Sequence, residues 1–327
     1  MTNTIRILFI SAFVALFAVN GMAQKPDTLI RKLDSLQKST DTTGKQINNT
    51  NREEFTESTQ LTLPGYFILL GSNMKQSFTK PFHMKKKDWG NMLKFTLLEA
   101  ALYFADEPIQ RNMLDLRTNN TTVANISRNV TQFGGLYEVY TLATLGLESI
   151  IFKNKKLQTT TLLATQSYLT AGAVQFVGKF LSGRQRPSYA DNYTLDAEPK
   201  FHGPFYTLVD ANGYKSNSSF PSGHTTAAFA AATVFSLEYK NSKLVPWVSY
   251  GAATLIGLSR MTENKHWFTD VVAGAALGYL TGLQVVNNYH RYAKIRSGET
   301  SKPKGEVSFN LSYDRGVIMP GMVYKFR

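Results

Sequence analysis

The amino-acid sequence predicts an all-α protein, a six-helix bundle with a short C-terminal β-hairpin appended to it. From Trp89 onward the chain runs in Ala-rich and Leu-rich stretches of helical length. Few of them carry a charge in the middle, so each buries most of its circumference against its neighbours or against lipid. Only near the C-terminus does the pattern change to alternation of apolar and polar residues. There Val307, Phe309, Leu311 and Tyr313 share one face, Asp314-Arg315-Gly316 signals a turn, and a second run goes from Val317 to Phe326.

Residues 1–23 read as a secretory signal peptide, with Arg6 at its positive end, an apolar stretch from Ile7 to Val19 and a small-residue cleavage site at Gly21-Met22-Ala23. The competing reading, an uncleaved anchor, suffers from the shortness of that stretch. The mature protein is therefore expected outside the cytoplasm, in the periplasm or at the envelope membrane. Residues 24–60, rich in Thr, Ser, Asn, Lys and Asp, read as a flexible polar lead-in with one marginal helix at most. The helical domain is placed at 61–290. Its first ten residues are apolar but interrupted by Pro64-Gly65, so a short strand or a packed loop fits as well as a helix. Six helices are expected, at about 89–105, 134–152, 157–181, 223–239, 244–258 and 269–289. A basic linker follows at 291–305 and the hairpin at 306–327. Two strands cannot close a barrel, so the hairpin is expected to pack on the helical body.

Composition narrows the chemistry. The 327 residues include no cysteine, which excludes a disulfide framework, a thiolate metal site and a Cys nucleophile. The formal net charge of +13 favours an anionic partner, which for an exported protein means phosphorylated metabolites or anionic lipid headgroups before nucleic acid. Whether the helices lie in lipid is left open. Leu157 to Gly178 is uncharged, yet it contains Gln158, Gln166, Gln175 and Ser167, and Glu99 and Glu148 interrupt two other helices. Gly274, Gly278 and Gly282 recur every four residues, a small-residue face that allows close helix packing in a membrane or in a soluble bundle.

Three clusters carry chemistry, each at the end of an expected helix. In the first, Lys179, Arg184, Arg186 and Pro187 lie where helix 157–181 gives way to a polar loop. Cations there can simply answer the helix dipole. In the second, Phe220-Pro221-Ser222-Gly223-His224 precedes an Ala-rich helix. Ser222 suits an N-cap, Gly223 lets a ligand approach the backbone, and the free amides of the helix suit a phosphate; a capped helix with an incidental histidine is the bland alternative. In the third, Ser259-Arg260 precedes His266 and Asp270. Four-residue spacing puts Asp270 beside His266 on one helical face, where a carboxylate can hold one ring nitrogen protonated and aim the other outward. Phosphoryl transfer needs cations and amides around three negatively charged oxygens, an in-line nucleophile and a proton donor opposite it. Lys179, Arg186, Arg260 and the two histidines supply that set.

The patterns Lys179-x6-Arg186-Pro187, Pro221-Ser222-Gly223-His224 and Ser259-Arg260-x5-His266-x3-Asp270 resemble, at eleven fixed residues in order, the three-part signature of the type-2 phosphatidic-acid-phosphatase (PAP2) and vanadium haloperoxidase superfamily. The resemblance covers roughly residues 89 to 289 and implies a PAP2-like helical fold. It also implies that His266 attacks phosphorus to form a phosphohistidine, that Asp270 orients it, and that His224 protonates the leaving alcohol and later activates water. Lys179, Arg186, Ser222, Gly223 and Arg260 would bind the phosphate oxygens, with no metal and no other cofactor. Arg184 can reach the site but matches no signature position, and His83, His202 and His290 are assigned no catalytic role. The aromatic loop from Ser188 to Ser219 is expected to cover the site and to influence substrate choice through Phe201, Phe205 and Tyr206.

The expected substrate is a phosphorylated envelope lipid, such as phosphatidate, isoprenoid diphosphate or a lipid A phosphate, with membrane association. A soluble periplasmic broad-specificity acid phosphatase acting on small phosphomonoesters is the alternative. A vanadium haloperoxidase and a non-catalytic anion-binding envelope protein rank below both.

Overall fold

The computed structural model describes residues 61–188, 194–195, 197–209, 213 and 215–296 and the two strands 306–314 and 317–325. The signal peptide and lead-in expected at 1–23 and 24–60 lie outside the described residues. Described residues up to Tyr289 form one unit, and those from His290 form a second.

The first unit is helical. Its helices are α1 (Leu63–Thr79), α2 (Lys86–Tyr103), α3 (Asp106–Asn119), α4 (Thr121–Val130), α5 (Leu136–Ile151), α6 (Lys155–Ser182), α7 (Gly223–Glu238), α8 (Leu244–Thr262) and α9 (Phe268–Arg296), the last running on into the second unit. Six of these nine helices among the described residues coincide with the expected six, and α1, α3 and α4 are additional. At α1, Pro64 sits in the first turn, where its missing N–H has no helical partner to lose, and Thr62 Oγ1 accepts from the Gly65 amide at 3.3 Å. The dipeptide that suggested an interruption is therefore a helix start.

Helix α7 lies between α6 and α8, with α1 and α5 against α6 and with α3 and α4 against α8. Ala228, Ala232, Ala253 and Ile256 form the buried seam between α7 and α8. The small-residue face of α9 meets α7 backbone to backbone. A Cβ on Gly274, Gly278 or Gly282 would fall 2.7, 2.3 or 2.7 Å from the carbonyl oxygens of Ser222, Thr226 and Ala230 respectively.

Among the described residues one helical stretch, Phe268–Ala293, is long and apolar enough to cross a membrane, and half of it is buried in the protein. The second unit holds the end of α9, which continues through the first six residues of the expected linker, and strands β1 (Glu306–Asp314) and β2 (Val317–Lys325). The strands pair antiparallel in a register running from Glu306 opposite Lys325 to Asp314 opposite Val317.

Candidate functional site

Each signature side chain stands within about a turn of a helix end. Lys179 lies in the last turn of α6, which Gly183 closes in the left-handed conformation (φ 52°). A Cβ at Gly183 would fall 2.0 Å from the Gly203 carbonyl oxygen, so only glycine lets the chain turn here into Arg184 and Arg186. Gly223 and His224 open α7, Arg260 lies in the last turn of α8, and His266 lies in the connection from α8 to α9. Side chains clustered in this way answer one another electrostatically. Burial first, then Arg186 and Arg260, pushes the Lys179 ammonium down to about 8. Burial first, then Arg260, His266, Lys179 and Arg186, pushes His224 down to about 2. Burial, followed by Arg186, Arg260 and Lys179, holds His266 well below the ordinary imidazole range. Lys179, Arg186, Arg260, His224 and His266 thus share one site, in which Arg260 and His266 are buried and the others half-buried, and whose histidines are neutral at pH 7.

Two local expectations are corrected. Ser222 occupies the N-cap of α7, but its hydroxyl pairs with Thr225 Oγ1 at 2.9 Å instead of capping a backbone amide. His266 and Asp270 do not share a helical face, because α9 begins only at Phe268. Instead Asp270 caps its own helix by accepting from the Trp267 amide at 2.8 Å, and the chain reversal before the cap carries His266 Nδ1 to 3.5 Å from Asp270 Oδ2. Ser219 Oγ, which donates to that same Oδ2 at 2.5 Å, also lies 3.5 Å from Nδ1. With acceptors on the Nδ1 side, the neutral ring keeps its proton there and leaves Nε2 bare.

Both histidines have folded-state pKa values below the unfolded value of about 6.5. Below that pH the unfolded chain takes up protons that the native site refuses. Their contribution is fully present above about pH 6.5 and is lost on acidification, at up to about 1.4 kcal/mol per pH unit per histidine. Melting temperatures at pH 7.5 and 5.0 are expected to differ less in His224→Asn than in the unsubstituted protein. An equal difference in the two would show that His224 takes no part.

Several site residues fall outside the signature. Gly134 and Gly135 make room for His224, since a Cβ at 134 would fall 2.7 Å from His224 Cβ and one at 135 would fall 3.0 Å from Nε2. The Gln132-Phe133-Gly134-Gly135 run was the available sequence signal. Thr131 Oγ1 accepts from Arg260 Nη1 at 2.5 Å. Arg184, fully buried, donates from Nη1 to Asp270 Oδ1 and to Thr269 Oγ1, each at 2.6 Å, and from Nη2 to Asp106 Oδ2.

Among the described residues of the loop from Ser188 to Ser219, Phe201 packs over the Arg184 guanidinium and edge-on to Phe220, whereas Phe205 is almost fully exposed and meets Phe180 edge-on. His202 stacks on Tyr206. No group of three His, Asp or Glu side chains among the described residues converges as a metal site would require.

Residues 160–294 match the model of the PAP2 superfamily. That span contains every signature residue, but it begins well after residue 89, where the resemblance was expected to start. Over 68 residues the chain is 50% identical to a lipid A 1-phosphatase of Porphyromonas gingivalis, covering 20% of this chain and 15% of the relative. Over 132 residues it is 33% identical to a probable lipid phosphate phosphatase 4 of Arabidopsis thaliana, covering 34% of this chain and 42% of that one. The chain therefore spans less than half the length of either relative. The crystal structure of a transmembrane PAP2-type phosphatidylglycerolphosphate phosphatase from Bacillus subtilis aligns with a TM-score of 0.43 at 22% identity, over 62% of this chain and 94% of that one.

Proposed function

We propose that this protein is an exported, membrane-associated phosphatase that removes phosphate from phosphorylated envelope lipids through a phosphohistidine at His266. The observation that carries the reading is the convergence of Lys179, Arg186 and Arg260 on the buried His266 and the half-buried His224. Three cations placed in advance stabilise the charge that spreads over the phosphoryl oxygens in the transition state, and they do so without a metal.

His266 Nε2 attacks phosphorus, the bond to the ester oxygen breaks, and His224 delivers a proton to the departing alkoxide. Neutral His224 then takes a proton from water as the water attacks the phosphohistidine, which releases phosphate and frees the His266 nitrogen. Burial and the surrounding cations hold His224 neutral, so the proton it donates must come with the substrate. A phosphate monoester still carries a proton below its second pKa of about 6, and the bound anion offsets the cations that depress His224. The enzyme is therefore expected to work best in mild acid, with kcat/KM falling as pH rises above about 6 to 7.

The lipid assignment rests on the surface and on the relatives' names. Leu97, Ile151, Phe176, Trp247 and Leu280 are each more than half exposed and come from five helices, an apolar surface of a kind that lipid covers. Phosphate release from a phosphorylated lipid and from a water-soluble phosphomonoester, measured in parallel, tests the reading. Lipid-selective release supports it, whereas equal or better release from the soluble ester would make this a scavenging phosphatase.

Arg260→Ala removes a buried, charge-assisted phosphate contact, of a kind that contributes about 1.5–3 kcal/mol. Orthovanadate inhibition is expected to weaken by about 10-fold to 100-fold, and unchanged inhibition would remove Arg260 from the phosphate site.

A further inference from the structure

We propose that Arg184 and Asp106 are positioning residues: they hold the Asp270 carboxylate, and through it the nucleophile His266, without touching the substrate. The proposal deepens the phosphatase reading and rests on it for its kinetic readout.

Arg184 stands among cations assigned to phosphate, five residues after Lys179 and two before Arg186. By sequence position alone it would be a fourth anion-binding group. The structure gives it other partners. Its guanidinium is fully buried and forks between two carboxylates, Nη1 on Asp270 Oδ1 at 2.6 Å and Nη2 on Asp106 Oδ2, both of them also fully buried. The planar fork fixes both carboxylates at once, which a lysine cannot reproduce. Around the guanidinium, Tyr103, Phe201, Phe220 and Trp267 present their rings at 4.7–6.0 Å, so the pair is walled off from the phosphate pocket.

Asp106 is the far anchor. Besides Arg184, it accepts from the Thr269 amide at 2.9 Å and from the Thr269 hydroxyl at 2.7 Å, one residue before Asp270. It thereby holds the first turn of α9 from outside while Arg184 holds the Asp270 side chain from the same end. The remaining buried polar residues of α3 serve the same segment. Gln110 Nε2 donates to the Met261 carbonyl at 2.9 Å and to Asn264 Oδ1 at 2.7 Å, and Arg117 pairs with Glu263 at 3.2 Å. Asn264 stands at φ 53°, a conformation that needs such support outside glycine. The buried face of α3 is a polar clamp on the connection that carries His266.

The chain thus divides its buried cations by task. Arg186, Arg260 and Lys179 depress both histidines electrostatically, whereas the Arg184 charge is answered by the carboxylates of Asp106 and Asp270. Substituting a phosphate-binding cation should weaken anion affinity, while substituting Arg184 or Asp106 should leave it intact and slow the chemical step.

The test uses the full-length protein in detergent, with Asp106→Asn, Arg184→Lys and, as a structural control on the same face of α3, Leu114→Ala. Three quantities are read: kcat and KM for phosphate release, orthovanadate affinity, and the protonated nitrogen of His266 by ¹⁵N NMR of histidine-labelled protein. For Asp106→Asn and Arg184→Lys, kcat is expected to fall about 10-fold to 100-fold, as when supporting residues around an active group are lost, with KM and vanadate affinity within about threefold of the parent. The Nδ1-protonated form of His266 is expected to give way to a mixture. Leu114→Ala should lower the melting temperature without changing kcat or the His266 signals.

If kcat and the His266 tautomer are unchanged in Asp106→Asn, or if turnover falls only in step with vanadate affinity, the positioning role is overturned. If the unsubstituted protein releases no phosphate from any ester while its His266 tautomer still responds to Asp106→Asn, the phosphatase reading fails and the positioning role stands.

Discussion

His266→Ala is expected to lower phosphate release by more than about a thousandfold, the upper part of the range for loss of one reacting group, and to abolish the phosphoenzyme. Stability is a separate question. The ring is 2% exposed, so its removal leaves a small cavity, and a loss of about 1–3 kcal/mol is expected alongside the loss of turnover. His266 precedes a helix and lies in no core stripe, so burial alone sets that modest cost. The control is His266→Gln, which keeps most of the volume and an amide near Nδ1 but offers no nucleophilic nitrogen. It should melt closer to the parent and be as inactive as the alanine variant. Quenching turnover in alkali, where an N-phosphohistidine survives, should trap labelled phosphate on the parent and on neither variant. Residual turnover within tenfold of the parent would remove His266 from the nucleophile's place.

The chemistry was more legible than the architecture that holds it, and the reason is physical. Phosphate recognition needs specific side chains at helix ends, so Lys179, Arg186, Ser222, Gly223, His224, Arg260, His266 and Asp270 announce themselves by type and spacing. Long apolar stretches announce α2 and α5 to α9 in the same way. Helix α3 gives no such signal. Its buried positions are Asp106, Gln110, Leu114 and Arg117, three of them polar, and each of those three has a long-range partner that a local pattern cannot reveal. The sequence separations of these contacts, 78 residues from Asp106 to Arg184 and 151 from Gln110 to Met261, show why.

Arg184 was legible as a cation and illegible as to role. Its type fits a phosphate site; only three-dimensional placement shows it facing two carboxylates. The half-buried Glu99 adds to the same region. Burial first, and then Asp106, raises its carboxyl to about 7, so about half of it is protonated at neutral pH.

The second large effect is expected at Gly278. Helix propensity alone favours replacing an interior helical glycine by alanine, by about 0.5–1 kcal/mol. At Gly251 in α8 nothing lies within 4 Å of a Cβ, so Gly251→Ala is expected to be neutral or stabilising. At Gly278 the same methyl would meet the Thr226 carbonyl oxygen at 2.3 Å, Phe229 Cβ at 2.8 Å and the Ala230 nitrogen at 2.9 Å. Two of these are backbone atoms of a packed helix and cannot turn aside, so α9 must move off α7. Overpacking of this kind costs about 1–3 kcal/mol for the methyl, and a leucine, which cannot be accommodated by a shift of tenths of an ångström, should cost more. Function should follow. Ser222 and Asp270 are joined across the two helices by a 2.9 Å hydrogen bond from the Ser222 amide to the Asp270 carbonyl, and a Cβ at Gly274 would already lie 2.7 Å from the Ser222 oxygen. Separating α9 from α7 therefore pulls the Asp270 side from the Ser222-Gly223-His224 side, and stability, kcat and vanadate affinity should fall together. That joint loss differs from His266→Ala, where turnover disappears and most of the stability stays. Gly278→Ala melting at or above the parent temperature would show that α9 and α7 are not in backbone contact at this position.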